Sequence, residues 1–333
     1  MQHNMKNWIE SMIAAPEKKA MPVLSFPSVQ LMGITVRELI SQSDLQAEGM
    51  KRIAQRVDAC AAVSLMDLSV EAEAFGSEIR FSDHEVPTVV GSIVTTEEDA
   101  DELTIPEVGT GRTGIYIDAV RKALALIHDR PVFAGTIGPF SLAGRLMDVS
   151  EIMILCYEEP DMVHTVLEKT TQFLIDYITA YKNIGANGVV MAEPLTGMLS
   201  PMLAEEFSAP YVKQIVEAVQ DDSFIVVYHN CGDNVERMAE SIVSCGAAAY
   251  HFGNACVLKN MLPYIPEDCL VMGNVDPAGQ LCNGTPESVR EAALKVLDEC
   301  GSAPNFVLSS GCDIPPQTPW ENIDAFLNAI KSN

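Results

Sequence analysis

The feature that most constrains this chain is a regular alternation of short apolar segments with longer segments of helical periodicity. The apolar segments have the length of buried strands, and turn residues separate them from the helical segments. Eight strands are predicted, at Ala61–Met66, Pro87–Val90, Val132–Thr136, Gly188–Ala192, Phe224–His229, Ala248–Phe252, Leu270–Gly273 and Phe306–Ser309. Because parallel strands need a crossover between them, this order predicts a parallel sheet.

Eight strands with interleaved helices favour an α/β fold of the closed (β/α)8 TIM-barrel type. A doubly wound open sheet has the same alternation, but no G-x-G-x-x-G motif follows the first predicted strand. Helices are predicted at Gln46–Val57, Thr113–Ile127, Pro160–Ile184, Pro201–Val219, Val235–Cys245, Val257–Ile265, Pro286–Cys300 and Pro319–Ile330. We expect a single domain over residues 1–333 with an N-terminal extension up to about residue 45. The segments Ile13–Leu45 and Glu97–Gly111 are interpreted as additions to the barrel.

Composition restricts the partners and the location of the protein. The formal net charge of −25 disfavours nucleic acid and anionic membrane surfaces as partners, since both repel an acidic chain. No apolar run approaches the roughly 20 residues that span a bilayer, and Met1–Glu10 lacks a signal-peptide core. The nine cysteines are an odd number scattered through apolar segments, which argues against a disulfide framework. A cytoplasmic protein is expected.

Three residues with metal-binding side chains lie at predicted strand ends. His229 and Cys231 follow the strand Phe224–His229, and Cys312 follows the last strand. Because the carboxyl ends of barrel strands share one rim, the three side chains are expected to meet there. An imidazole with two thiolates suits Zn²⁺, and three protein ligands leave one coordination position open, as in catalytic zinc sites.

Two acidic residues also end predicted strands. Asp67 follows the first strand, where it points to the rim as a functional acid, as a helix cap or as a loop residue in contact with solvent. Glu193 follows the fourth strand and is a candidate for substrate orientation, for a base, for a fourth metal ligand, or for a loop salt bridge. Four further polar residues at strand ends either join the site or cap the next helix, namely His251, Asn254, Asn274 and Asp276.

Five motifs together resemble the uroporphyrinogen decarboxylase superfamily. They are Asp58–Leu68, Ala74–Gly76, Gly138–Phe140, Ala192–Pro201 and Gly273–Pro277. The resemblance runs from about Met21 to Phe326 and implies a (β/α)8 barrel with its site at the carboxyl-terminal mouth.

The superfamily has two main chemistries. True uroporphyrinogen decarboxylases carry an N-terminal pair of arginines that binds substrate carboxylates, and the corresponding stretch Pro22–Met32 contains no arginine. Asp67 matches the catalytic aspartate of that branch, so a cofactor-free decarboxylase using Asp67 is the alternative function. The other branch comprises the corrinoid-dependent methyltransferases, whose zinc ligands are matched by His229, Cys231 and Cys312.

The sequence does not determine the identity of the fourth zinc ligand. Some methyltransferases add an acidic ligand in the region that here reads His251-Phe-Gly-Asn254. Glu193, His251, water and substrate are the candidates.

The expected function is zinc-dependent methyl transfer between the cobalt of a corrinoid protein and a small substrate activated at the zinc. That substrate is a thiol such as coenzyme M or the oxygen of a methoxy-aromatic compound. Asp67 and Glu193 are expected to position the substrate or manage its proton. The corrinoid is expected on a partner protein, because the chain contains no D-x-H-x-x-G corrinoid-ligand motif. A non-enzymatic corrinoid- or porphyrin-binding protein with structural zinc is a third interpretation, and homodimerisation and the direction of methyl flow are left open.

Overall fold

A parallel sheet of seven strands forms the centre of the molecule. The computed structural model describes residues 3–331. Within that range the strands are β1 (Ala62–Val63), β2 (Glu78–Arg80), β3 (Thr88–Val90), β4 (Val132–Ile137), β5 (Gly188–Ala192), β6 (Ile225–Asn230), β7 (Ala249–Phe252), β8 (Leu270–Val275) and β9 (Phe306–Ser310). The parallel sheet has the order β1-β4-β5-β6-β7-β8-β9, so each strand lies beside the next one in sequence. Successive parallel neighbours of this kind curl into a barrel.

The prediction that Pro87–Val90 belongs to the parallel sheet is wrong. Thr88–Val90 instead pairs antiparallel with Glu78–Arg80 in a separate two-stranded hairpin. The segment has two exposed residues and one partly buried residue, whereas strands of a parallel barrel are covered on both faces. A short apolar run in the sequence did not distinguish a strand of the barrel from a strand of a separate hairpin.

The gap between β9 and β1 is closed by residues that the sequence interpretation placed outside the barrel. The amide of Met21 donates to the carbonyl of Leu308 over 2.9 Å, and the amide of Leu308 donates to Lys19 over 3.0 Å. On the other side, the amide of Cys60 donates to the carbonyl of Ala20 over 2.8 Å. The interpretation of Ile13–Leu45 as an addition is therefore wrong for residues 19–21. The (β/α)8-barrel prediction is confirmed, with this segment in the eighth position.

Helices surround the sheet and cover its ends. Within the described range they are α1 (Met5–Ile13), α2 (Ser28–Met32), α3 (Val36–Ser41), α4 (Ser43–Arg56), α5 (Val70–Ala74), α6 (Glu97–Glu102), α7 (Thr113–Leu124), α8 (Pro139–Met147), α9 (Val149–Glu158), α10 (Pro160–Asn183), α11 (Pro201–Phe207), α12 (Ala209–Val219), α13 (Ala239–Val243), α14 (Leu258–Met261), α15 (Pro286–Cys300) and α16 (Trp320–Ile330). Shorter helical turns occur at Leu195–Met198, Val235–Met238, Leu262–Tyr264 and Pro277–Cys282. None of the helices between residues 3 and 331 combines the length and apolar character that crossing a bilayer requires.

One predicted helix is divided in two. The pattern over Pro201–Val219 is helical throughout, but α11 ends at Phe207 and α12 begins at Ala209. Pro210 lies in the first turn of α12, where its missing N–H costs nothing, whereas inside a continuous helix it would remove a hydrogen bond. The proline therefore sets the break.

The amino-terminal end of the barrel is closed by α1. Met5 and Ile9 of this helix are buried among residues that begin the barrel strands, such as Phe133 and Ile225. The Trp8 ring lies 5.8 Å from that of Phe133. Apolar side chains thus fill the barrel from this end, as in other packed (β/α)8 interiors. Polar side chains are left to collect at the opposite end.

Amide exchange tests the barrel closure at residues 19–21. We expect the amides of Met21, Cys60 and Leu308 to exchange as slowly as those of the central strands, because each is hydrogen-bonded inside the closed sheet. Hydrogen–deuterium exchange with overlapping peptides measures this, with the exposed residue Glu17 as the fast reference. Fast exchange at Met21 and Leu308 would show that the segment is a loose extension.

Candidate metal centre

The three predicted metal ligands come together at the carboxyl ends of β6 and β9. His229 lies within β6, Cys231 follows that strand directly, and Cys312 follows β9 by two residues. Their ligand atoms all lie within 4.8 Å of one another. No other group of three His, Cys, Asp or Glu side chains in the described part of the chain is arranged in this way.

The geometry of this cluster fits a tetrahedral metal ion. The Nε2 atom of His229 lies 3.4 Å from the Sγ atom of Cys312. Ligands at about 2.0 Å for nitrogen and about 2.3 Å for sulfur would be about 3.5 Å apart at a tetrahedral zinc ion. His229 is buried while both cysteines are partly exposed, so the cluster faces the mouth of the barrel.

The thiols of Cys231 and Cys312 shift each other's pKa in opposite directions. A hydrogen bond from the Cys312 thiol lowers the pKa of Cys231, whereas the same contact together with burial raises the pKa of Cys312 to about 12. Cys231 is therefore the first of the two to become a thiolate. Metal ions bind thiolates and displace protons, so the lowered pKa of Cys231 suits a metal ligand.

A chain of hydrogen bonds fixes the orientation of His229. The Ser309 hydroxyl donates to the carbonyl oxygen of Met21 over 2.6 Å, and its oxygen lies 2.7 Å from Nε2 of His251. Burial, followed by the neighbouring His229, lowers the pKa of His251 well below its usual range. His251 is therefore neutral and donates from Nε2 to Ser309, which leaves its Nδ1 as an acceptor.

The same chain decides which nitrogen of His229 is free. The Nδ1 atoms of His229 and His251 are 2.7 Å apart, so the acceptor on His251 requires an N–H at Nδ1 of His229. The lone pair of His229 is then on Nε2, the atom that faces Cys312. Histidine ligands of metals are commonly held by such a hydrogen bond at the other ring nitrogen. His251 thus supports His229 and has both of its own nitrogens occupied.

A glycine makes room for Cys231. A Cβ atom at Gly253 would lie 2.5 Å from both Cα and Cβ of Cys231, closer than any real contact. The Gly253 carbonyl is held by the side-chain amide of Asn274 over 3.0 Å. This loop therefore packs its bare backbone against the metal cluster, and an acidic ligand at position 253 does not fit.

Glu193 follows β5 directly, and its amide donates to the carbonyl of His229 over 2.8 Å. Its carboxylate accepts hydrogen bonds from the amides of Phe140 and Ser141 over 2.8 and 3.1 Å, and from the hydroxyls of Ser141 and Thr196 over 2.7 and 3.1 Å. Burial raises the pKa of Glu193 to about 7, while these hydrogen bonds act in the opposite direction. Both carboxylate oxygens are thus occupied in holding α8 to the end of β5. Its predicted catalytic role stays a prediction.

Asp67 is held in a buried ion pair. It pairs with Arg112, accepts a hydrogen bond from the Tyr116 hydroxyl over 2.7 Å and another from the Ser69 hydroxyl over 2.6 Å. Arg112 also contacts Glu73 over 2.5 Å and the Ser69 hydroxyl over 2.8 Å. Asp67 therefore orders the loop after β1, and its role toward a substrate stays a prediction.

The other polar residues at strand ends have mostly structural contacts. Asp276 accepts hydrogen bonds from the amides of Ala278 and Gly279, each over 2.9 Å, so it caps the following turn. Asn274 donates to the carbonyls of Gly253 and Cys256. The capping interpretation is confirmed for Asp276.

Sequence analysis missed a buried acid beside Asp67. Glu71 accepts hydrogen bonds at Oε1 from the Thr136 hydroxyl over 2.8 Å and from the Ile137 amide over 3.1 Å, whereas Oε2 has no partner among the described residues. Burial raises the pKa of Glu71 to about 7. The residue lies on the short helix α5, whose sequence reads as an exposed acidic turn, so only the fold could identify it.

Comparison with known proteins identifies the family of this barrel. Residues 12–333 match the family described as uroporphyrinogen decarboxylase (URO-D). The chain belongs to the uroporphyrinogen decarboxylase family. This confirms the resemblance that the sequence motifs indicated.

Relatives of this URO-D family member include both methyltransferases and decarboxylases. The methylcobamide:CoM methyltransferase MtbA of Methanosarcina mazei is 31% identical over 271 residues, which cover 80% of this chain and 78% of the relative. The uroporphyrinogen decarboxylase of Coxiella burnetii is 27% identical over 301 residues, which cover 87% of this chain and 81% of the relative. The expectation of an enzyme of the corrinoid-dependent methyltransferase branch is confirmed by the first of these.

A solved structure supports the fold of the URO-D family member. A methyltransferase from Methanosarcina mazei superposes with a TM-score of 0.88 at 21% sequence identity, covering 99% of this chain and 98% of the other. At this identity the likeness concerns the fold, and it extends over the whole barrel and its N-terminal segment.

The raised pKa of Glu71 predicts a pH-dependent effect of Glu71→Gln. The folded chain keeps this proton up to about pH 7, whereas the unfolded chain releases it near the ordinary value of 4.5. The free energy of unfolding contributed by Glu71 therefore falls as the pH rises between these two values. Glutamine mimics the protonated acid, so the variant should match the wild type at pH 4.5 and be more stable by about 3 kcal/mol at pH 8.

Denaturant unfolding at several pH values measures this difference. Glu78→Gln on the exposed hairpin is the matched control and should show no such trend. The groups whose charges bear on Glu71 are Asp67, Tyr177 and Tyr181, and they are unchanged in both variants. A pH-independent difference between Glu71→Gln and the wild type would contradict the assignment.

Proposed function

We propose that this chain is a cytoplasmic, single-domain methyltransferase that binds zinc through His229, Cys231 and Cys312. It moves a methyl group between the cobalt of a corrinoid carried by a partner protein and a small substrate bound at the barrel mouth. The observation that carries the proposal is the convergence of one imidazole and two thiols at that mouth.

The donor set supports a catalytic zinc site. One nitrogen and two sulfur ligands suit zinc better than Mg²⁺ or Ca²⁺, which prefer oxygen. Three protein ligands leave a fourth position, and a zinc ion bound there would supply Lewis-acid activation of the substrate's sulfur or oxygen. Among the candidates for that position, Glu193 and His251 have their polar atoms occupied elsewhere, which leaves water or substrate.

The surrounding residues hold this site in shape. The contacts from Ser309 and His251 favour the His229 tautomer whose N–H is at Nδ1, with Nε2 directed at Cys312. The lowered pKa of Cys231 favours its thiolate form. We propose that Asp67 and Glu193 position the loops around the substrate, the first through Arg112 and the second through α8.

A thiol is the preferred small substrate. The relative at 31% identity is named for coenzyme M, which is 2-mercaptoethanesulfonate. In the transfer to a thiol, the sulfur loses its proton and forms a bond to the methyl carbon. The carbon–cobalt bond breaks and leaves both electrons on the cobalt of the corrinoid protein. A methoxy-aromatic donor would use the reverse direction, with cobalt as the nucleophile toward the methyl group.

Decarboxylation with Asp67 is the second candidate, because the relative from Coxiella burnetii is a uroporphyrinogen decarboxylase. Two observations weigh against it. The oxygens of Asp67 are engaged by Arg112, Tyr116 and Ser69, and Pro22–Met32 offers no arginine for the carboxylates of such a substrate.

Replacement of a proposed zinc ligand tests the function. With methylcobalamin and 2-mercaptoethanesulfonate, Cys312→Ser should lose at least about 100-fold of the methyl-transfer rate, since loss of one of three ligands removes the activating ion. The rate is followed by the change in the visible spectrum of the cobalamin. Cys282→Ser removes a thiol outside the cluster and should keep the rate. Full activity of Cys312→Ser would overturn the proposal.

A further inference from the structure

A cavity of about 420 Å³ shares the loop after β9 with the cluster of His229, Cys231 and Cys312. Its walls come from the loop after β1, from β3 and the residues just before it, from the last turn of α8 and from the loop after β9. Asp313 in the wall follows Cys312 directly in the sequence, so the loop that carries one proposed metal ligand also lines the cavity. Its volume is in the range of sites for small molecules.

One cation lines this cavity and is without a partner. Arg145 on α8 makes no hydrogen bond and no ion pair with any described residue, and its buried Nε atom contacts no acceptor. Arg112, by contrast, is neutralised by Asp67 and Glu73. Removing a guanidinium from water without a counter-charge is costly, and this cost lowers the pKa of Arg145.

The charges around Arg145 indicate what it could bind. Glu85 and Asp313 line the same cavity, yet neither lies within ion-pair distance of Arg145. The chain as a whole carries a net charge of −25, so an anionic ligand needs a local cation to enter. Arg145 is the single Lys or Arg in the cavity lining within the described range.

The remaining walls suit the carbon skeleton of a small ligand. Met66, Leu68 and Val86 contribute apolar surface to the same cavity. A ligand whose anionic group meets Arg145 would therefore place its carbon skeleton against these side chains. Guanidinium groups bind sulfonates and carboxylates through two parallel N–H donors.

We propose that Arg145 binds an anionic group, a sulfonate or a carboxylate, of the methyl-transfer substrate, at the end opposite to the atom that is methylated or demethylated. This inference rests on the proposed function. It makes the substrate class an acid-bearing thiol or an acid-bearing methoxy compound, and it assigns substrate specificity to α8.

Kinetics with paired thiols test the role of Arg145. The zinc-loaded enzyme is assayed with methylcobalamin and either 2-mercaptoethanesulfonate or the uncharged 2-mercaptoethanol. Arg145→Gln should raise KM for the sulfonate about 30-fold or more, with KM for 2-mercaptoethanol changed by less than about twofold. Arg145→Lys should have a KM for the sulfonate between those of the wild type and Arg145→Gln, because lysine keeps the charge without the paired donors. Arg290→Gln, on the exposed face of α15, removes the same charge as a control and should leave both values unchanged.

Direct binding gives a second readout that does not depend on turnover. Calorimetry with ethanesulfonate and with 4-methoxybenzoate measures affinity for each anion in the wild type, Arg145→Gln and Arg290→Gln. We expect at least one anion to bind the wild type and to lose about 30-fold or more in affinity in Arg145→Gln alone. The anion that does so identifies the sulfonate or the carboxylate as the natural group.

Several results would overturn the inference. It fails if neither anion binds the wild type, if both bind Arg145→Gln as well as the wild type, or if this variant affects both thiols equally. Should the wild type methylate no thiol and demethylate no methoxy compound while anion binding still requires Arg145, the proposed function fails and the anion site stands. Circular dichroism of each variant confirms that it is folded.

Discussion

The metal cluster depends on one hydrogen-bonded chain that links it to the closure of the barrel. Met21, in the segment between β9 and β1, accepts from Ser309, which in turn accepts from His251. His251 accepts from His229 and thereby leaves the Nε2 atom of His229 free to bind a metal. The segment that completes the barrel is therefore linked to the tautomer of a proposed metal ligand, and the fold and the proposed chemistry share the same contacts.

The acidic residues around the mouth have separate roles because the barrel gives each a different environment. Asp67 has a buried cationic partner in Arg112, Glu193 receives the amides that begin α8, and Glu71 has one oxygen without a partner. Burial raises the pKa of the latter two to about 7. The oxygens of Asp67 and Glu193 are all engaged by other groups, which favours an open position for substrate at the proposed metal site.

The sequence was sufficient to predict the barrel and the convergence of His229, Cys231 and Cys312, since the strands that precede them end at one rim. It was not sufficient for the eighth barrel position, because Pro22 breaks the strand pattern just after residues 19–21. The sequence also did not predict contacts between segments that are distant along the chain. Arg145 looks like an ordinary charged residue of a helix until the fold shows that it faces a cavity.

The central claim is a zinc ion with three protein ligands and one position left for substrate. X-ray absorption spectroscopy at the zinc edge of the purified protein tests it most directly. The account predicts one zinc per chain with two sulfurs at about 2.3 Å, one nitrogen at about 2.0 Å and one further light atom, and a third sulfur in place of that atom when 2-mercaptoethanesulfonate is added. A protein without zinc, or a four-ligand shell that the thiol leaves unchanged, would contradict the account.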